Sequence, residues 1–245
     1  MPPLSTLDRR TVLKALSLAP LAVLPSGLAA RAETAGLITT DVCLLQKEVT
    51  EGPFYIDPHL LRSDITEGKP GLPLQLRLQV VTADCAPVVG ARVDVWHCDA
   101  TGVYSGVQNM GAGGDTTGQN FLRGTQMTDV AGVASFQTVF PGWYRGRTTH
   151  IHYKVFLDQR SVLTSQIFFD EAVIAEIYAE HSAYARRDKR DVMNVDDGIA
   201  ADAGAGAYAR VRMTAPDGVA EAALVVGVSP EAGASGLLDW LLNKA

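Results

Sequence analysis

Residues 73–96 read PLQLRLQVVTADCAPVVGARVDVW, and this stretch decides the fold class. Leu74, Leu76, Leu78 and Val80 alternate with Gln75, Arg77 and Gln79. Successive side chains of an extended chain point to opposite faces, so the segment is a strand with one buried side. Residues 84–90 make a turn, and 91–97 alternate again. Ala91, Val93, Val95 and His97 share one face, and Arg92, Asp94 and Trp96 share the other.

The same reading extends outward. Short strands are expected at 124–128, 133–138, 150–157 and 165–169, with a terminal hairpin of 208–214 and 220–228 around Pro216, Asp217 and Gly218. Residues 129–132 suit a hairpin loop between their flanking strands. Residues 171–184, free of glycine and proline, are the best helix candidate outside the N-terminal segment. Residues 105–120 lack an apolar period and form a long loop, a common place for function. Many short strands with turns between them predict an all-β, sandwich-like single domain with long loops and a short helix after the core strands.

A chain of 245 residues accommodates one such domain with appendages. The domain is assigned to 74–230, a connector and surface loop to 33–73, and a tail to 231–245. The net charge of −6 gives no support to a nucleic-acid or anionic-membrane surface, so small partners are more natural. Near the start, Arg9 and Arg10 precede an apolar run at 15–24 that is too short to span a bilayer, and small residues follow to Ala32. That layout predicts a twin-arginine signal over 1–32 and export of the already folded protein to the periplasm or beyond. An exported protein can hold a disulfide, and among Cys43, Cys85 and Cys98 the expected bridge joins Cys85 to Cys98. No CxxC spacing supports a cysteine zinc site.

The chemistry concentrates in residues 141–154, PGWYRGRTTHIHYK. On a strand, His150 and His152 project to one face, which is a metal-ligand arrangement. Tyr144 lies upstream across a glycine-containing turn, and Tyr104 follows the Trp96 strand in TGVYSG. Tyrosine binds a metal well only after losing a proton from a group of pKa about 10, which demands a strong Lewis acid. Hard phenolate oxygens with neutral imidazoles favour Fe(III).

Four motifs, EGPFY (51–55), DVWHCDATGVYSG (94–106), PGWYRGRTTHIH (141–152) and TSQIFF (164–169), resemble the intradiol ring-cleavage dioxygenases. This is the protocatechuate 3,4-dioxygenase and catechol 1,2-dioxygenase group, and the likeness is greatest to its exported single-domain bacterial members. The resemblance implies that Tyr104, Tyr144, His150 and His152 hold one non-haem Fe(III), with Tyr144 and His152 axial and Tyr144 the ligand displaced by substrate. Arg147 takes the position of the catalytic arginine, Gln166 that of the glutamine near the substrate, and Pro53 and Tyr55 line the pocket. The implied reaction cleaves a catechol-type ring between its two hydroxylated carbons with O2, giving a muconate-type diacid. The implied partners are a small aromatic diol and O2, and a homo-oligomer is compatible with the family. The link from Tyr144 to His150 is shorter than in the protocatechuate enzymes, so the wall it builds is reduced.

Each residue also has a plainer reading. Tyr104 and Tyr144 could pack at strand ends. His150 and His152 could line a wet groove, Arg147 and Arg145 could neutralise nearby acids, and Gln166 could satisfy a backbone group. His97 reads as a core or supporting histidine, and His59 and His181 as surface residues. For the whole chain the rivals are a non-catalytic transthyretin-like β-sandwich binding module and a zinc hydrolase using His150 and His152.

Overall fold

The computed structural model describes residues 44–57, 59–108, 113–185, 188–214 and 218–229. The expected signal at 1–32, the tail at 231–245 and Cys43 lie outside these residues. Eight strands form two four-stranded sheets. One has the order β4-β1-β8-β7, from β1 (Pro73–Val81), β4 (Val133–Val139), β7 (Arg210–Met213) and β8 (Ala220–Gly227). The other has the order β3-β2-β5-β6, from β2 (Arg92–Trp96), β3 (Arg123–Met127), β5 (His150–Leu157) and β6 (Arg160–Phe168). Helix α1 (Glu171–Glu180) follows β6, and the short helix α2 (Gly198–Ala203) precedes β7. The all-β expectation holds.

Register explains the core. Leu74, Leu76, Leu78 and Val80 sit opposite Ala220, Ala222, Leu224 and Val226 on β8, while Leu76 and Leu78 face Phe136 and Ala134 on β4. These apolar rows pack against Val93, Val95, Ile151, Tyr153 and Val155 of the other sheet, all buried in one cluster. Such interdigitation of two inner faces is what stabilises a sandwich.

Two local expectations are corrected. Residues 129–132 do not close a hairpin, because β3 and β4 lie in different sheets. Asp129 Oδ1 accepts from the Ala131 and Val133 amides at 2.8 and 2.9 Å, making a corner that carries the chain from one sheet to the other. The same turn chemistry serves a hairpin or a corner, and the matching apolar row on β1 draws β4 across. The Cys85–Cys98 bridge fails for a related reason. Cys85 is disulfide-bonded, whereas Cys98 is a buried thiol placed 3.5 Å from the Gly142 carbonyl. β2 carries the chain away from the 82–90 turn, and at ~3.3 Å per residue its far end lies beyond the ~7 Å reach of a disulfide.

The loop at 56–73 also does more than cover a surface. Leu60 and Arg62 exchange backbone hydrogen bonds with Thr125 on β3, and Ser63 and Ile65 do so with Gln137 on β4. This caps the open edge of both sheets at once, a protection that edge strands need. β6 starts at Arg160, five residues before the expected 165, after a two-residue turn in which Asp158 and Gln159 have φ of 48° and 64°. Both central residues at positive φ is the hairpin geometry that matches strand twist, achieved here without the usual Asn-Gly.

Candidate metal centre

The site grows from the outer face of the β3-β2-β5-β6 sheet. Trp96, His152 and Gln166 lie in one cross-strand row, with His150 opposite Phe168 in another. Loops cover this face, so His150 and His152 are only 2% and 1% exposed. Trp96 stacks flat on His152, with ring centroids 4.9 Å apart and planes 9° apart. That contact fixes the imidazole plane.

Tyr104 comes from the turn after β2. Asp99 Oδ1 accepts from Thr101 N and Val103 N, and Lys69 pairs with Oδ2 at 2.7 Å, so the loop delivers Tyr104 fully buried. Tyr144 comes from 141–149, which α1 holds from behind. Tyr178 Oη donates to the Pro141 carbonyl at 3.0 Å and lies 2.7 Å from Thr149 Oγ1. The Arg147 amide donates to Tyr144 O at 3.2 Å, closing a turn whose third residue, Gly146, has φ of 87°. A type II turn requires positive φ there, hence the glycine in YRGR.

These elements bring the four expected ligands together. His150 Nε2 lies 3.4 Å from Tyr104 Oη, 3.3 Å from Tyr144 Oη and 3.1 Å from His152 Nε2. His150 Nδ1 donates to the Thr148 carbonyl at 2.7 Å, which leaves the lone pair on Nε2. Burial and then the Arg147 charge push His150 down to about 3, and burial with the His150 and Arg147 charges holds His152 well below the usual histidine range. Burial pushes the Tyr104 hydroxyl well up and Tyr144 up to about 12.

The donor set fits a metal. One lone pair on His150 Nε2 cannot satisfy the three groups that converge on it. A cation among the four atoms would engage both imidazole lone pairs and both oxygens. Among the described residues no group of three or more His, Cys, Asp or Glu side chains could hold a metal, so a metal held here uses the tyrosines. That argues against the zinc reading, since zinc sites take three or four ligands of those types.

Arg147 and Gln166 stand beside the cluster. Arg147 Nη2 donates to Gln166 Oε1 at 2.6 Å, and Gln166 Nε2 donates to the Thr50 carbonyl at 3.0 Å. Pro53 is exposed, and the Tyr55 hydroxyl donates to the buried Asp94 at 2.9 Å with its ring against Trp96. In that EGPFY segment the neighbours of the ligands are instead Gly52 and Phe54. A Cβ on Gly52 would sit 3.4 Å from His152 Cε1, and Phe54 stacks on Tyr104 at 4.5 Å. His97 is a core histidine as expected, bonded to Cys98 O and Thr138 Oγ1.

Sequence reasoning missed three contributors. Arg123, 1% exposed, donates to Ser105 O and Phe54 O at 2.7 Å each, tying the Tyr104 loop to the segment that covers it. Trp96 was assigned to the correct face with no role. Asp197 accepts from Arg147 Nε at 2.8 Å and from the Thr148 amide at 2.9 Å. No motif marks Asp197; only its position as an Asp before a small-residue run hints at a helix cap.

The fold and site together define a class of protein, a two-sheet sandwich that gathers two tyrosines and an alternating histidine pair on one outer face. Comparison with known proteins specifies it. A family model described as Dioxygenase matches residues 50–189, more than half of the chain. The solved structure of an intradiol ring-cleavage dioxygenase from Tetranychus urticae is 34% identical, with a TM-score of 0.69, covering 77% of this chain and 96% of that one. Chlorocatechol 1,2-dioxygenase from Pseudomonas sp. (strain P51) is 31% identical over 116 residues, 40% of this chain and 44% of that protein. Catechol 1,2-dioxygenase 1 from Acinetobacter lwoffii is 29% identical over 139 residues, 47% of this chain and 43% of that protein. The chain belongs to the intradiol ring-cleavage dioxygenase family. It spans less than half the length of these two catechol-cleaving relatives.

Proposed function

We propose that this protein is a non-haem Fe(III) intradiol dioxygenase that opens a catechol-type ring between its hydroxylated carbons with O2, giving a muconate-type diacid. The observation that carries the reading is the convergence of Tyr104 Oη, Tyr144 Oη and His152 Nε2 on His150 Nε2 within 3.4 Å, with a fixed arginine alongside. Tyr104, Tyr144, His150 and His152 would hold the one iron of each chain. When bound, ferric iron supplies the Lewis acidity that ionises the phenols and the electronic coupling that opens the diol ring to O2.

The protein's own groups do the rest. Tyr144 is more exposed than the fully buried Tyr104, and so is the ligand free to give way to substrate. Burial pushes its hydroxyl up to about 12, so a Tyr144 phenolate would be a strong enough base to take a diol proton on Oη. Arg147 stabilises negative charge developing on the ring, an effect worth ~3 kcal/mol for one preorganised donor. Phe54 and Trp96 shield Tyr104 and His152 from water. We further propose export through the twin-arginine pathway, which suits a protein whose metal is loaded before it leaves the cytoplasm.

A visible spectrum of the aerobically purified protein tests the reading. The expected result is a red, iron-containing protein whose phenolate charge-transfer band shifts when catechol is added without oxygen. Arg147→Ala should keep the band and lose turnover roughly 100-fold. A colourless, metal-free protein would favour the binding-module alternative, and zinc without a visible band would favour a hydrolase.

A further inference from the structure

The turn from Tyr144 to His150 is short, and a segment from beyond the family-matched region braces it. Asp191 accepts from the Gly146 amide, 3.1 Å from Oδ2. Thr148 Oγ1 bonds Asn194 Oδ1 at 2.6 Å, and Arg190 Nη2 donates to the same hydroxyl at 3.2 Å. Arg190 is itself paired with Glu171 at the start of α1. At the end of this strap, Asp197 meets four donors. Oδ2 takes Arg147 Nε and the Thr148 amide, while Oδ1 caps α2 through the Ile199 and Ala200 amides at 2.9 and 3.0 Å.

We propose that Asp197, at the end of the 190–197 strap that braces this turn, is a positioning residue that aims the Arg147 guanidinium at the reacting centre. The inference rests on the dioxygenase reading above. Its force comes from how Arg147 is fixed. Asp197 holds Nε from one side and Gln166 holds Nη2 from the other, while Gln166 is in register with His152. The guanidinium so held bears directly on the Tyr144 hydroxyl. Asp197 is the carboxylate paired with Arg147, and its side chain is 2% exposed. A charge-assisted bond in such a site is stronger and more directional than one at the surface. Without it, an arginine on a glycine-containing turn is held by Gln166 alone, and one bond to one nitrogen does not fix the guanidinium plane.

The competing account is that Asp197 only caps α2. Asp197→Ser separates the two, since serine caps a helix nearly as well but is too short to reach Arg147. The first readout needs no iron and no turnover. In the metal-free protein the Arg147 Nε–H should give a slowly exchanging 15N–1H resonance apart from the bulk arginines, identified by its loss in Arg147→Lys. In Asp197→Ser that resonance should merge with the bulk. In the iron-loaded variant kcat should fall roughly tenfold or more, with KM within about twofold and an unshifted phenolate band, because charge stabilisation is lost only in the transition state. A wild-type spectrum with no protected Arg147 resonance overturns the proposal, and does so even if Asp197→Ser fails to fold. An Asp197→Ser enzyme with wild-type kcat overturns it equally. If the wild-type protein turns over no diol, the dioxygenase reading falls, while the spectrum still decides whether Asp197 fixes Arg147.

Discussion

Loading a trivalent metal into this centre should draw protons from the two tyrosines and from neither histidine. His150 is pushed down to about 3, mainly by burial, and His152 lies well below its usual range, so both are neutral from pH 5 to 8 and would bind as neutral ligands. Tyr144 is pushed up to about 12 and Tyr104 well above the ordinary tyrosine value, so each binds as phenolate only by giving up a proton. At pH 7, removing the Tyr144 proton spans about five pH units and costs about 7 kcal/mol at ~1.36 kcal/mol per unit, which the metal must supply. Affinity therefore weakens as pH falls, by about tenfold per unit for each phenolate, or ~10⁴ for the pair between pH 8 and 6. Tyr144→Phe should lower ferric affinity, measured against a chelator of known pH behaviour, and weaken the visible phenolate band. Proton release on loading the wild-type protein can be followed in weakly buffered indicator solution. Wild-type affinity and an undiminished band in Tyr144→Phe would refute Tyr144 as a phenolate ligand. Additional release appearing below pH 6.5 would refute the claim that burial keeps the histidines neutral.

Two further predictions concern the scaffold beneath the site. Burial above all pushes His97 down to about 4, so the folded state keeps it neutral while the unfolded chain protonates below about 6.5. Stability is then lost as pH falls from 6.5 towards 4, about 2 kcal/mol of it by pH 5. Urea unfolding of the metal-free protein at pH 7 and pH 5 should show that loss in wild type and its absence from the His97→Gln difference; identical pH dependence in the two would contradict the assignment. Gly142 permits the close approach of the Tyr144 segment to the Tyr104 turn. A Cβ there would lie 2.6 Å from the Ala100 carbonyl carbon and 2.7 Å from Asp99 O, both backbone atoms that cannot yield alone. Gly142→Ala should cost about 3 kcal/mol and weaken the visible band by parting the two tyrosines; an unchanged melting temperature and band would show that the approach is not tight.

Strands and the His150–His152 pair are legible in the sequence because both are local patterns. Period-two alternation marks β1 and β2, and an HxH on a strand places two imidazoles on one face whatever surrounds it. Neither pattern tells which strands pair. Asp129–Gly132 has the same side-chain-closed chemistry whether it ends a hairpin or turns a corner, and the partner of β4 is chosen by apolar rows on β1 that lie far away in sequence. The Cys85–Cys98 bridge was mistaken for the same reason, since it presumed that neighbouring strands in sequence are neighbours in space. Asp197 and Arg123 were invisible because each acts through contacts distant in sequence, fifty residues from Arg147 in one case and sixty-nine from Phe54 in the other.

The burial that shapes this centre also works against its tyrosines, and that opposition has a use. Ionising Tyr144 at pH 7 costs about 7 kcal/mol, and burial adds a further cost for Tyr104. The first cost alone is about half of the apparent binding free energy of a structural zinc site, ~10–16 kcal/mol. A divalent ion would lose much of its affinity in stripping the phenols. A trivalent ion, with its larger attraction for phenolate oxygen, retains a surplus. Selectivity for the proposed ferric ion thus arises from dry surroundings that penalise the ionised ligands, with Phe54 stacked over Tyr104 as one source of that dryness. The same penalty would keep a Tyr144 phenolate basic, so a single physical cause would favour the ion and prepare the base.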